Sequence, residues 1–173
     1  MAYLTLMCGI PGSGKSTWLK GLEKENAVIS RDKIRYSLLN EGDAYFSKEK
    51  EVFELFTKQI NDSLTKGINT YVDATHITPG SRRKLLNAIT APYDRLNAIV
   101  IDTPLEECLK RNAQRIGRAC VPEDQVINMY EHFVKPTLNE GFNYIITETL
   151  NDLTIAKEKK DENLCNKRPS LIS

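Results

Sequence analysis

Apolar positions along the chain follow two alternating rhythms. Short continuous apolar runs, of the kind a buried strand shows, occur at Tyr3 to Cys8, Ala27 to Ser30, Asn69 to Val72, Leu96 to Ile101 and Tyr144 to Ile146. Between them apolar residues return at helical spacing. Trp18, Leu19 and Leu22 form one such set, and Ile34, Leu38 and Leu39 another. Val52, Phe56, Ile60 and Leu64 stand four apart from Lys48 to Lys66, with Phe53 widening the stripe. Further sets are Leu85, Leu86 and Ile89, then Leu105, Cys108 and Leu109, then Val126, Met129 and Phe133. Gly67 ends the third helix, Pro79 and Pro104 open the next two, and Pro122 precedes the last. Asn40 to Ser47, with Gly42, reads as a loop.

Strands alternating with helices predict an α/β fold, a doubly wound, mainly parallel sheet of about five strands with helices on both faces. Such sheets bind ligands at the carboxyl ends of their strands. Asp32, Asp73 and Asp102 all follow predicted strands, which puts them on one edge of the sheet. A chain of 173 residues is one domain's worth. The expected division is a domain over residues 1–150 and a polar, lysine-rich tail over 151–173, read as a final helix or a partly disordered segment.

Composition narrows the partners. Lysine and arginine number 24 against 23 acidic residues, a net charge of +1. That argues against coating long nucleic acid through many phosphate contacts, and leaves room for gripping a few phosphates at a strand end. The basic residues cluster at Arg82, Arg83 and Lys84, and at Arg111, Arg115 and Arg118. No apolar run reaches membrane-spanning length, so no membrane partner is expected, and the N-terminus lacks a signal-peptide pattern. Cys8, Cys108, Cys120 and Cys165 form no C-x-x-C pair and read as reduced thiols of a cytoplasmic protein.

The sharpest chemical feature is Gly9-Ile10-Pro11-Gly12-Ser13-Gly14-Lys15-Ser16, followed by Thr17, which matches the phosphate-binding P-loop pattern. It lies between a predicted strand and a predicted helix, as the chemistry requires. Glycines let the backbone curl around a triphosphate, and the helix start adds its dipole. Lys15 is then expected on the β/γ-phosphates of ATP and the Ser16 hydroxyl on Mg²⁺.

Three further features concern the acceptor and the transfer. Asp32, at a strand end, can take the proton of an attacking hydroxyl or simply cap the helix. Arg35, one helical turn on, is placed to clamp an anionic part of the acceptor. In Val72-Asp73-Ala74-Thr75-His76 the strand ends on an acidic residue, read as acting near Mg²⁺ or as a loop cap. His76 either touches an acceptor base or packs, and one of Arg82 and Arg83 is expected to face the site. Arg111, Arg115 and Arg118, at i, i+4 and i+7, share one helical face. With Gly117 and Pro122 nearby they read as an arginine lid over the triphosphate, against the plainer reading of a solvated basic face.

Together these residues resemble the polynucleotide 5′-hydroxyl kinase family, the kinase module of the bacteriophage end-healing enzyme and its bacterial relatives. The matching motifs are Gly-Ser-Gly-Lys-Ser-Thr-Trp, Arg-Asp-x-x-Arg at Arg31 to Arg35, Val-Asp-Ala-Thr at Val72 to Thr75, and the three lid arginines. They span Gly9 to about Phe133. The resemblance implies an ATP-dependent enzyme that phosphorylates the 5′-hydroxyl end of RNA or DNA. Asp32 would be the general base and Arg35 would hold the neighbouring phosphate, with Asp73, Thr75, His76 and Arg83 also on the acceptor. Arg115 and Arg118 would clamp ATP together with Arg111. His76 stands where the family often has Asn. The chain shows no Asp-x-Asp-x-Thr phosphatase motif and no ligase segment, and reads as a stand-alone kinase. The rival readings are a kinase of a small alcohol or an aminoacyl-tRNA, whose acceptor residues would lie in Asn40 to Phe56, and a nucleotide switch without transfer.

Overall fold

The computed structural model describes residues 2–149. The expected tail and Cys165 lie outside the described residues. Five strands, β1 (Tyr3–Cys8), β2 (Ala27–Ser30), β3 (Thr70–Asp73), β4 (Arg95–Asp102) and β5 (Tyr144–Thr149), form one sheet in the order β2-β3-β1-β4-β5. Every pairing is parallel. Six α-helices connect them: α1 (Lys15–Leu19), α2 (Arg31–Leu38), α3 (Glu49–Thr65), α4 (Pro79–Asn87), α5 (Leu105–Ala113) and α6 (Glu123–Glu131).

The apolar runs are continuous because the sheet is covered on both faces. Alternate residues of one strand enter different cores. Leu96, Ala98 and Val100 join Val52, Phe56, Ile60 and Leu85 on one face. Ile99 and Ile101 join Met7, Trp18 and Leu19 on the other. The four-apart stripe of α3 is buried as expected. A smaller cluster of Ile10, Cys108 and Val126 seats α5 and α6 beside the glycine loop.

Local chemistry sets the element ends. Thr78 caps α4 in a reciprocal pair with Ser81, and Pro79 supplies the fixed φ of its first residue. α1 is shorter than its apolar spacing predicts: it stops at Leu19, and Gly21 turns the chain with φ 93°. α5 likewise stops at Ala113, with Arg115 and Arg118 beyond it, so the three arginines do not share one helical face. Arg118 sits instead on a 3₁₀ turn, Gly117–Ala119, that Gly117 enters at φ 60°.

β1 is central, with β3 on one side and β4 on the other. The chain's winding reverses there, which makes the carboxyl end of β1 the place where a ligand crevice opens. Ser30 and Asp73 are register partners at that edge.

Candidate functional site

The glycine loop leaves β1 at this crevice. Its base is held by a bond from the Gly9 amide to the Thr75 carbonyl, 3.0 Å. Its far side rests on the turn into α5: Thr103 Oγ1 donates to the Ser13 carbonyl at 2.8 Å. Gly12 has φ +83°, and a Cβ there would stand 2.3 Å from the Cys108 carbonyl oxygen. Only glycine fits that approach.

Lys15 is buried, and its ammonium donates to the carbonyls of Gly9 and Ile10 at 2.8 and 2.9 Å. Burial pulls its pKa below the ordinary lysine value, while the Asp73 charge opposes that shift. The ammonium is therefore a poorly solvated cation with only neutral oxygens in contact, a state an anion would relieve. The Ser13 hydroxyl is also buried without a hydrogen-bond partner. Both features fit a bound phosphate.

Two cavities adjoin here. The first, about 510 Å³, is lined by Gly12, Gly14, Lys15, Ser16 and Thr17 on one wall and by Lys110, Arg111 and Arg115 on the other. It is cationic, has a glycine floor and a helix start, and suits a polyphosphate. Arg111 is held by Glu107 at 2.8 Å and reaches the Ser13 carbonyl at 3.5 Å. The second cavity, about 260 Å³, contains Asp32, Tyr36, Tyr45, Asp73 and Thr75. Pro11 lines it too. Lys15, Ser16 and Arg115 line both, so they stand at the seam.

Ser16 Oγ donates to Asp73 Oδ2 at 3.4 Å. A hydroxyl and a carboxylate are hard oxygen donors, suited to Mg²⁺ once phosphate oxygens complete its shell. Among the described residues no cluster of three or more His, Cys, Asp or Glu is placed to hold a metal.

Asp32 is an exposed carboxylate, yet its Oδ1 is engaged by Arg35 Nη1 and by the Tyr45 hydroxyl, the latter at 3.0 Å. Arg35 is only 5% exposed. It also donates to the Tyr45 oxygen at 3.1 Å and to Glu49 Oε2 at 2.9 Å, and its guanidinium lies 4.6 Å from the Tyr45 ring centre. Arg31 takes the other Glu49 oxygen. Burial alone pushes the Glu49 carboxyl upward, but the Arg35 hydrogen bond and the Arg31 charge outweigh it and hold it below the usual range. Burial, and then the Asp32 charge, push the Tyr45 phenol up.

Several expected site residues stand apart from the cleft. His76 is buried, adopts φ 44°, and its Nδ1–H donates to the Met7 carbonyl at 2.8 Å. Burial lowers its pKa to about 4. It lines neither cavity. Of the two adjacent arginines, neither faces the site. Arg82 is fully buried, forks onto Glu140 at 2.7 and 2.8 Å, and donates to the carbonyls of His76 and Val134. Arg83 is exposed and lines neither cavity. Arg118 turns away from the phosphate cavity and donates to the Asn40 and Asp43 carbonyls at 2.9 and 3.3 Å. Sequence reasoning missed Tyr45 and Glu49. They lie 10 and 14 residues beyond Arg35, outside any local motif. The only hint was an aromatic pair, Tyr45-Phe46, in a polar loop.

A family model described as an AAA domain, AAA_33, matches residues 4–136. The L-seryl-tRNA(Sec) kinase of Methanococcus maripaludis is 30% identical over 145 residues, 77% of this chain and 53% of that protein. A putative bifunctional polynucleotide kinase/RNA ligase of Autographa californica nuclear polyhedrosis virus is 29% identical over 148 residues, 76% of this chain and 21% of that protein. The chain thus spans about half of the first relative and a fifth of the second. Among solved structures, a Pnkp1/Rnl/Hen1 RNA repair complex gives a TM-score of 0.66 at 22% identity, covering 76% of this chain and 43% of that one. A sugar kinase from Janibacter sp. HTCC2649 gives 0.61 at 16%, covering 87% and 86%. At such identities the structures share the fold.

Proposed function

We propose that this chain, which belongs to the AAA_33 family, is a P-loop kinase-type phosphotransferase that moves the γ-phosphoryl group of ATP to the 5′-hydroxyl end of RNA or DNA. The observation that carries this reading is the pair of adjoining cavities. One suits polyphosphate, the other holds the Asp32 carboxylate, which Arg35 and Tyr45 engage, and Lys15, Ser16 and Arg115 stand between them. In-line transfer needs a donor and an acceptor meeting at one seam.

The glycine loop, Lys15, Arg111 and Arg115 bind the triphosphate. Asp32 receives the proton as the acceptor oxygen attacks the γ-phosphorus. The bond from that phosphorus to the bridging oxygen breaks, and ADP leaves. Lys15 and Arg115, at the seam, meet the charge that builds on the moving group. Arg35, bonded to Asp32, would hold a phosphate beside the reacting hydroxyl once its contact with Glu49 is given up. Ser16 and Asp73 would hold Mg²⁺, which neutralises phosphate charge when bound.

A second reading, a small alcohol or aminoacyl-tRNA acceptor, draws on one observation: the Arg35 guanidinium is already taken by Glu49 and Asp32. The likeness to a seryl-tRNA kinase agrees with it. Incubation with γ-labelled ATP, Mg²⁺ and a panel of 5′-hydroxyl oligonucleotides, nucleosides, small alcohols and seryl-tRNA separates these. Label on the oligonucleotides is expected. Label confined to small alcohols or to the aminoacyl-tRNA overturns the proposal, and ATP hydrolysis with no labelled acceptor points to a switch.

A further inference from the structure

Tyr45, on the wall of the acceptor cavity, and Glu49, bonded to Arg35 beside it, together imitate an acceptor. The Tyr45 hydroxyl donates to Asp32 Oδ1, the carboxylate oxygen that also receives Arg35. An attacking hydroxyl would have to make the same bond in order to lose its proton. The Glu49 carboxylate spans Arg31 and Arg35, the two arginines that flank Asp32 in sequence. It is an anion held where an acceptor's phosphate would meet Arg35.

We infer that Tyr45 and Glu49 are specificity-determining residues, internal stand-ins for the hydroxyl and the adjacent phosphate of the acceptor. The inference rests on the polynucleotide reading above. An alcohol alone displaces only Tyr45. An acceptor that carries a phosphate next to its reacting nucleotide displaces both groups and collects the Arg35 contact as well.

The arginines have capacity for the exchange. Arg31 Nε and Arg35 Nε are both buried without a hydrogen-bond partner. Glu49 therefore leaves part of each donor fork unmatched. A phosphate brings three oxygens where a carboxylate brings two, so it can satisfy donors that Glu49 leaves idle. The aromatic cover is also local. Phe46 packs edge-on against Tyr45 at 4.7 Å and is itself exposed, so Tyr45 swings out without disturbing the core.

The test compares binding of a nucleoside and its 3′-monophosphate by calorimetry, with the full chain as wild type, Tyr45→Phe and Glu49→Gln. Glu49→Gln keeps shape and a hydrogen-bond acceptor but removes the competing charge. It is expected to raise the preference for the 3′-monophosphate over the nucleoside about three- to tenfold. Tyr45→Phe is expected to tighten both compounds by a similar factor and leave the preference where it was. A preference that is unchanged or lower in Glu49→Gln overturns the inference, as does weaker binding of both compounds to Tyr45→Phe. Should Glu49→Gln fail to fold, Glu49→Asp retracts the carboxylate by one methylene and is expected to move the preference in the same direction. Oligonucleotide labelling by wild type with no such shifts defeats this inference alone. No binding of either compound by any of the proteins defeats the polynucleotide reading with it.

Discussion

In the proposed transfer, Lys15 and Asp32 act as single residues in different ways. Lys15 is held on two backbone carbonyls of its own loop, and its burial lowers its affinity for a proton. Removing it costs the fold little, because a desolvated ammonium on neutral acceptors is not a large source of stability. Lys15→Ala is expected to lower turnover by about 10²-fold or more while the melting temperature stays within a few degrees, as read by steady-state kinetics and calorimetry. Asp32→Asn keeps an oxygen for Tyr45 and Arg35 but is too weak a base. A loss of about 10²-fold or more in turnover is expected, with ATP affinity little changed in an equilibrium titration. Near-normal turnover would show that another group takes the proton.

At the level of elements, the glycine loop and the segment after α5 depend on how closely chains approach. Gly12 and Gly117 both have positive φ, but their surroundings differ. At Gly12 a methyl group would meet the Cys108 carbonyl at 2.3 Å, so the loop must lift from α5. At Gly117 nothing lies within 4 Å, so only backbone strain remains. Gly12→Ala is expected to weaken ATP binding by roughly tenfold or more, and Gly117→Ala to cost only about 1 kcal/mol of stability. Titration with ATP and chemical denaturation measure the two effects. The lid arginines divide in the same way. Arg115 lines both cavities, whereas Arg118 bonds the carbonyls of the Asn40–Ser47 loop and offers its own carbonyl to Tyr36 at 3.2 Å. Arg115→Ala should chiefly depress kcat, because its contact strengthens as charge shifts. Arg118→Ala should chiefly raise KM for the acceptor. A rise in KM for ATP alone in Arg118→Ala would return that residue to the donor side.

At the scale of the whole molecule, the fold responds to pH through the buried His76. His76 is buried and neutral, with a pKa of about 4 in the fold against 6.5 for the free side chain. Arg31, Lys15 and Arg82 all oppose its protonation, while its bond to the Met7 carbonyl favours it. A depressed folded value means the unfolded chain binds the proton first. Stability is therefore fully present above about pH 6.5 and is lost as pH falls toward 4, by a few kcal/mol in all. The Glu49 and Glu140 carboxyls are held low by their arginines, so they weaken the fold only below about pH 4.5. Between pH 6.5 and 5 the fall in melting temperature should be much smaller in His76→Asn than in wild type. Equal slopes would place the titrating group elsewhere.

Much of this was legible along the chain. The continuous apolar runs and the helical spacings mark every strand and α-helix of the described residues, though α1 and α5 end earlier than expected, because side-chain direction follows backbone geometry that neighbours dictate. The glycine loop is legible for the same reason: eight consecutive residues carry its whole backbone requirement. Asp32 and Asp73 at the strand ends follow from the α/β winding rule. Pairings between distant segments are another matter. Arg82 and Arg83 are identical and adjacent, and it is partners such as Glu140, 58 residues on, and the Val134 carbonyl that take Arg82 into the fold. Arg35 has the spacing of an acceptor clamp, but Glu49, 14 residues away, occupies it. Arg118 has the spacing of a phosphate clamp until α5 ends early and the Asn40–Ser47 loop captures it. A charge's partner depends on which desolvated surfaces meet, and that is settled by packing across the fold rather than by the residues next to it.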